Sequence, residues 1–137
     1  MIEFVKMKEN DIEIVQDFLE VNHIYESGIE NKFPFMFLIK KEGKILGLSF
    51  LEFFKGDTLI SNIFVEPQNR KKGYGEGLLR TMLNYIYING TKYAYYLENN
   101  KAIYYYLKKL GFKKNLENKL YINIEEFFSL PCQGNKI

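Results

Sequence analysis

The run Leu59-Ile60-Ser61-Asn62-Ile63-Phe64-Val65-Glu66-Pro67-Gln68-Asn69-Arg70-Lys71-Lys72-Gly73-Tyr74-Gly75-Glu76-Gly77-Leu78-Leu79 decides the architecture of this chain. An apolar stretch ends at Val65, a proline and a polar turn follow, and glycines at 73, 75 and 77 lead into an amphipathic run beginning at Leu78. Glycine removes the Cβ from a tight turn, and a helix that follows directs its first unpaired N–H groups into that turn. The helix macrodipole puts partial positive charge at the same end, and Arg70, Lys71 and Lys72 add full charges beside it. Such a segment is suited to cradling phosphate. The only two arginines, Arg70 and Arg80, both fall here, whereas lysines are spread over the rest of the chain.

Downstream, Leu78, Leu79, Met82, Leu83 and Ile86 recur at helical spacing, and the helix runs out near Asn89-Gly90. Lys92 to Leu97 is a tyrosine-rich strand, after which Asn99 or Asn100 caps a helix through Leu110 that Gly111 terminates. Phe112 to Lys114 and Leu120 to Ile124 read as a closing hairpin. Upstream, Ile2 to Lys6 is a short strand, and Asp11 to Val21 is a helix with Ile14, Val15, Phe18 and Leu19 on one face and an Asn10/Glu13 capping box. His23 to Lys32 is either a second short helix or a loop. Phe35 to Lys40 and Ile45 to Phe54 form a hairpin about Glu42-Gly43, and Lys55-Gly56-Asp57 turns into the strand Thr58 to Val65. A strand, helix, strand crossing from Thr58 to Leu97 requires two parallel neighbours in an otherwise antiparallel sheet. The pattern is α/β (α+β), with helices on both faces of a mixed, mostly antiparallel sheet.

Size and composition bound the function. The 137 residues make one domain with a real core, rich in aromatics (12 Phe, 11 Tyr), and the net charge of +2 gives little support for broad nucleic-acid binding. With a single cysteine, no signal-like N-terminus and no apolar run near the ~20 residues that span a bilayer, a soluble cytoplasmic protein is expected. Cys132 lies in a polar tail with no histidine near it in sequence and reads as a bystander.

The spacing Gly73-x-Gly75-x-Gly77 is not G-x-G-x-x-G, and no G-x-x-x-x-G-K-S/T occurs, so neither a dinucleotide fingerprint nor a P-loop is present. Strand, Val65-Glu66-Pro67, Arg70-Lys71-Lys72-Gly73-Tyr74-Gly75 and Leu78-Leu79, in this order, resemble the core motif of the GCN5-related N-acetyltransferases. The element order resembles that family over nearly the whole chain. The resemblance implies the acyl-CoA N-acyltransferase fold, with the two parallel strands splayed apart and acetyl-CoA as donor. Amides from Lys71 through Lys72, Gly73, Tyr74 and Gly75 to Glu76, with Arg70 beside them, would hold the coenzyme A pyrophosphate. Backbone groups of Ile63, Phe64 and Val65 would pair with the pantetheine arm like an extra strand.

The family pattern N-x-x-A-x-x-x-Y-x-K-x-G-F fits the later helix with a slip of one residue. Helical phase puts Ala102, Ile103, Tyr106, Leu107 and Leu110 on one face and turns Tyr104 and Tyr105 away, so Tyr106 is the inward hydroxyl. The resemblance implies coenzyme contacts from Asn99, Asn100 and Tyr106 and a general-acid role for Tyr106 toward the departing thiolate. Many relatives carry a glutamate on the strand before the glycine loop, and Thr58 to Val65 has none. Glu52 and Glu98 are the candidate bases, with a water relay or a backbone carbonyl as alternatives, and the Val65 N–H is a candidate oxyanion donor. His23, the only histidine, reads as a loop residue.

Three functions follow: an acetyl-CoA-dependent N-acetyltransferase acting on a primary amine in a ternary complex, without metal; a non-catalytic coenzyme A-binding module; and an RNA-binding domain using Arg70 to Lys72 and exposed tyrosines. The first accounts for most of the motif. The acceptor walls are expected from His23 to Phe35 and Glu125 to Ile137, where Phe127, Phe128 and Leu130 line a pocket, pack as core or face a partner subunit in a homodimer. Glu26, Glu30 and Glu52 lend the site acidic character suited to a cationic amine.

Overall fold

The computed structural model describes residues 1–96 and 100–129. Strands β1 (Ile2–Lys6), β2 (Met36–Lys41), β3 (Lys44–Phe54), β4 (Asp57–Val65), β5 (Tyr93–Tyr96), β6 (Lys113–Lys114) and β7 (Leu120–Asn123) form one sheet in the order β1-β2-β3-β4-β5-β7-β6. Every neighbouring pair is antiparallel except β4 and β5, which are parallel as the strand, helix, strand crossing requires. Helices α1 (Ile12–Val21), α2 (Tyr74–Ile88), α3 (Lys101–Lys109) and α4 (Ile124–Ser129) complete the chain, and a 3-10 helix at Ile29–Phe35 resolves the stretch left between helix and loop.

Side-chain alternation along the central strands fills two cores. Phe37, Ile39, Leu46, Leu51 and Ile60 face α2 and α3, whereas Met36, Leu38, Ile45, Leu48 and Phe50 face Val15, Phe18 and Leu19 of α1. Helices thus cover both faces, and β2 and β3, buried on both sides, read as near-continuous apolar runs.

Several local expectations are corrected. The 3-10 turn Glu9–Asp11 precedes α1, and the Asp11 carboxylate, not Asn10, accepts the Lys8 N–H at 2.9 Å while pairing with Lys40 at 2.6 Å. Ile14 is exposed: it lies at the margin of the α1 face whose centre, Val15, Phe18 and Leu19, is buried. On α3 the buried positions are Ile103, Tyr106, Leu107 and Leu110; Ala102 is exposed and Tyr104 packs partly against the core, a face rotated from the expected one. The segment after β7 forms α4, whose Phe127 is core while Phe128 stays partly exposed.

The decisive irregularity is in β4. Phe50 pairs with Ser61 and Leu48 with Phe64, so Ser49 alone faces two residues, Asn62 and Ile63. This is a β-bulge, with Asn62 at φ +49, a left-handed conformation that asparagine tolerates. The buried Ser49 hydroxyl donates to the Ser61 carbonyl at 2.7 Å and satisfies an acceptor that the broken ladder releases. Just beyond, β3 approaches β4 so closely that a Cβ on Gly47 would lie 2.5 Å from the Phe64 carbonyl oxygen. Gly47→Ala is therefore expected to cost about 2 kcal/mol or more, read as a lower urea midpoint. An unchanged midpoint contradicts the close approach.

Candidate active site

Among the described residues, β4 pairs with β5 at Leu59↔Tyr95 and Ile60↔Tyr96. From Ser61 onward, among the described residues, β4 has no partner on that side, and Ser61 to Phe64 are only half-buried although β4 is central in the sheet. An open strand edge offers backbone donors and acceptors to any extended ligand. Ile63, Phe64 and Val65 lie on this edge.

At its end the chain turns through Pro67–Asn69 into the basic segment. Lys71 (φ +63) and Gly73 (φ +84) adopt left-handed conformations, and α2 starts at Tyr74 with no side chain capping it. Alternating backbone handedness and an uncapped helix end point successive amides into one concavity, the geometry that accepts a phosphate. Lys71 and Lys72 stand exposed beside it. Arg70 is tied down: its Nε donates to the Val65 carbonyl at 2.7 Å and its guanidinium lies 5.5 Å from the Phe64 ring centroid. It therefore braces the strand end as well as contributing charge.

Two residues of the motif serve packing. A Cβ on Gly77 would fall 2.3 Å from the Phe4 ring, so that glycine admits β1 against α2 rather than shaping the turn. Arg80 pairs with the buried Glu76 carboxylate at 3.1 Å and lies 4.8 Å from the Phe127 ring centroid, joining α2 to α4 and leaving the cradle to the other basic residues.

Beside the opened end of β4 is a cavity of about 510 Å³ lined by His23, Ile24, Tyr25, Glu26, Glu52, Leu59, Ile60, Ser61, Asn62 and Tyr96. Two of the three glutamates expected here, Glu26 and Glu52, border it; Glu30 does not. Lys32, which the sequence reading passed over, bonds both, at 2.9 Å to Glu26 and 2.6 Å to Glu52. Asn62 Nδ2 donates to the other Glu26 oxygen at 2.8 Å and ties the loop to the bulge. Burial opposes ionisation of Glu52, but the hydrogen bonds from Lys32 and Ser61 outweigh it and hold the carboxyl below its ordinary value of 4.5. Burial likewise opposes the charge on Lys32, and the bonds to Glu52 and Glu26 outweigh it, raising the ammonium above 10.5.

Tyr106 is 9 % exposed and shares the α2/α3 core with Ile60, Val65 and Tyr96. Asn100 is the cap of α3, its Oδ1 accepting from the Ile103 N–H at 3.2 Å, which decides between the two asparagines. Glu98, Asn99, Leu130 and Cys132 lie outside the described residues. His23 stands at the cavity mouth with Nδ1 3.4 Å from the Tyr25 hydroxyl. The C-terminal wall is not formed by residues 125–129, because Phe127 packs as core. Ser61 and Asn62 had a sequence signal: two polar residues interrupt an apolar strand, one of a type that accepts positive φ.

Among the described residues no three His, Cys, Asp or Glu side chains group as metal ligands, and no helix is long and apolar enough to cross a membrane. The sequence profile of the acetyltransferase (GNAT) domain matches residues 33–114, and the chain belongs to this family. No curated protein sequence matches it significantly. Among solved structures it resembles N-acetylglutamate synthase from Neisseria gonorrhoeae, complexed with coenzyme A and L-arginine (TM-score 0.71, 18% identity, 89% of this chain and 33% of that one). It also resembles a GNAT family acetyltransferase from Brucella melitensis in complex with acetyl-CoA (TM-score 0.67, 15% identity, 90% and 88%). A third is the ribosomal-protein-S18-alanine N-acetyltransferase of Escherichia coli (TM-score 0.64, 16% identity, 88% and 91%). At these identities the likeness is one of fold, and the chain spans about a third of the Neisseria protein.

The ion triad has a pH signature. A lowered Glu52 contributes stability that is complete above 4.5 and lost as the pH falls through its folded value. A raised Lys32 contributes stability that is complete below 10.5 and lost above it. Lys32→Met is expected to flatten the fall in urea midpoint between about pH 5 and pH 3 relative to the parent chain. Identical acid slopes would show that the triad adds nothing.

Proposed function

We propose that this chain is an acetyl-CoA-dependent N-acetyltransferase that moves an acetyl group to a primary amine by direct attack within a ternary complex. The observation that carries the proposal is continuity: the half-buried end of β4 leads directly into the uncapped start of α2, and the polar cavity borders the same strand at Leu59 to Asn62. On this reading the pyrophosphate rests on the amides from Lys71 to Glu76, the pantetheine arm adds to β4 at Ile63 to Val65, and the thioester reaches the gap beyond Ile60. The acceptor enters from the cavity.

The amine nitrogen adds to the acetyl carbonyl carbon, the oxyanion of the tetrahedral intermediate is held by the Val65 N–H, and the C–S bond breaks as that intermediate collapses. Tyr106 gives its proton to the leaving thiolate and recovers one from solvent. Glu52 is poorly suited to remove the amine's proton. An alkylammonium is a far weaker acid than a carboxyl that its Lys32 and Ser61 bonds hold below its ordinary value, so proton transfer to Glu52 is strongly disfavoured. Glu52 instead fixes charge at the acceptor side, and the amine's proton leaves through water in the cavity. The ionised, lysine-bound state of Glu52 also favours the second reading, a coenzyme A-binding module without turnover.

Free-thiol release from acetyl-CoA with a panel of primary amines separates the two. Amine-dependent release is expected; tight coenzyme A binding with no release for any amine supports the module instead. Gly75→Val, which adds a branched side chain to the buried second residue of α2, is expected to weaken coenzyme A binding at least a hundredfold. Retained affinity in that variant removes the phosphate cradle. Tyr106→Phe is expected to lower kcat by about a hundredfold with acetyl-CoA affinity little changed. Undiminished kcat assigns Tyr106 to packing.

A further inference from the structure

The Lys32 ammonium sits in a receptor built for a primary ammonium. It bonds Glu26 Oε1 at 2.9 Å and Glu52 Oε1 at 2.6 Å, and lies 5.1 Å from the centroid of the Phe50 ring. Carboxylates and an aromatic face are the groups that recognise an alkylammonium in general. The receptor is anchored, since Asn62 at the bulge holds the second Glu26 oxygen. Both carboxylates border the 510 Å³ cavity, whereas Lys32 is not among its lining residues.

A cation held this way keeps its proton, as Lys32 does. An amine that attacks a thioester must first lose one. The receptor therefore suits a second, non-reacting cation on the acceptor and not the nucleophile itself. Building on the acetyltransferase reading of the cavity, we propose that the acceptor is a diamine or polyamine whose distal ammonium competes with Lys32 for Glu26 and Glu52 while its other amine meets the thioester. Lys32 is then a resident counter-ion that sets selectivity. The acetyl carbon gains the bond to nitrogen and loses the bond to sulfur, the proton shed by nitrogen is balanced by the one taken up on the thiolate, and the distal ammonium is unchanged.

Titration calorimetry on the full chain saturated with coenzyme A, where no turnover occurs, tests this with 1,4-diaminobutane and 1-aminobutane as probes. The parent chain is expected to bind the diamine at least tenfold tighter than the monoamine. Lys32→Met is expected to tighten the diamine about tenfold further, and Lys32→Arg to stay within about threefold of the parent. Equal affinity of the parent for the two amines overturns the proposal without recourse to any variant, and so does a folded Lys32→Met chain that gains nothing. Absence of coenzyme A binding by the parent chain is a different failure: it overturns the acetyltransferase reading, and the acceptor proposal with it.

Discussion

One extra residue in β4 is the constraint on which the rest of the structure depends. With Asn62 and Ile63 both facing Ser49, the ladder between β3 and β4 is interrupted, and beyond Ile60 the residues Ser61 to Phe64 stay half-buried although their strand is central in the sheet. The distortion is held in place from several sides. Ser49 satisfies the Ser61 carbonyl, Asn62 accepts the left-handed backbone, its side chain bonds Glu26, and Gly47 lets β3 close up beneath Phe64.

The opening has electrostatically distinct ends. Past Val65 it runs into helix amides and the exposed Lys71 and Lys72, an environment for anions. Near Ser61 it meets Glu26 and Glu52, whose two negative charges are offset by the single positive charge of Lys32. On the proposed function these are the donor and acceptor ends, and the thioester lies between them. Arg70 links strand to cradle by bonding the Val65 carbonyl, so the two halves of the donor site are mechanically one.

Much of the fold was legible because its signals are local. Glycine at Gly73, the Asn100 cap and the alternation of β2 and β3 each state a backbone preference within a few residues, and the order of elements then leaves few topologies. The turn into α2 was legible for the same reason. The acceptor side was not, since Glu26, Lys32, Glu52 and Asn62 meet only after the sheet has formed, and no spacing in the chain announces their contact. The packing roles of Gly77 and Arg80 were not legible, because a phosphate loop and a packing site use the same residue types and the partners that distinguish them, Phe4 and Phe127, are distant in sequence. The short helix α4 was missed because two adjacent phenylalanines at its end fit core, pocket wall and interface equally well.

The central claim is that the released edge of β4 and the start of α2 form one continuous coenzyme A site. Backbone amide shifts of the nitrogen-15-labelled chain during titration with coenzyme A measure this directly. The account predicts that the largest perturbations fall together on Ile63 to Val65 and on Lys71 to Glu76, at a common midpoint. Perturbations absent from either segment, or concentrated on the α1 side of the sheet, would contradict it.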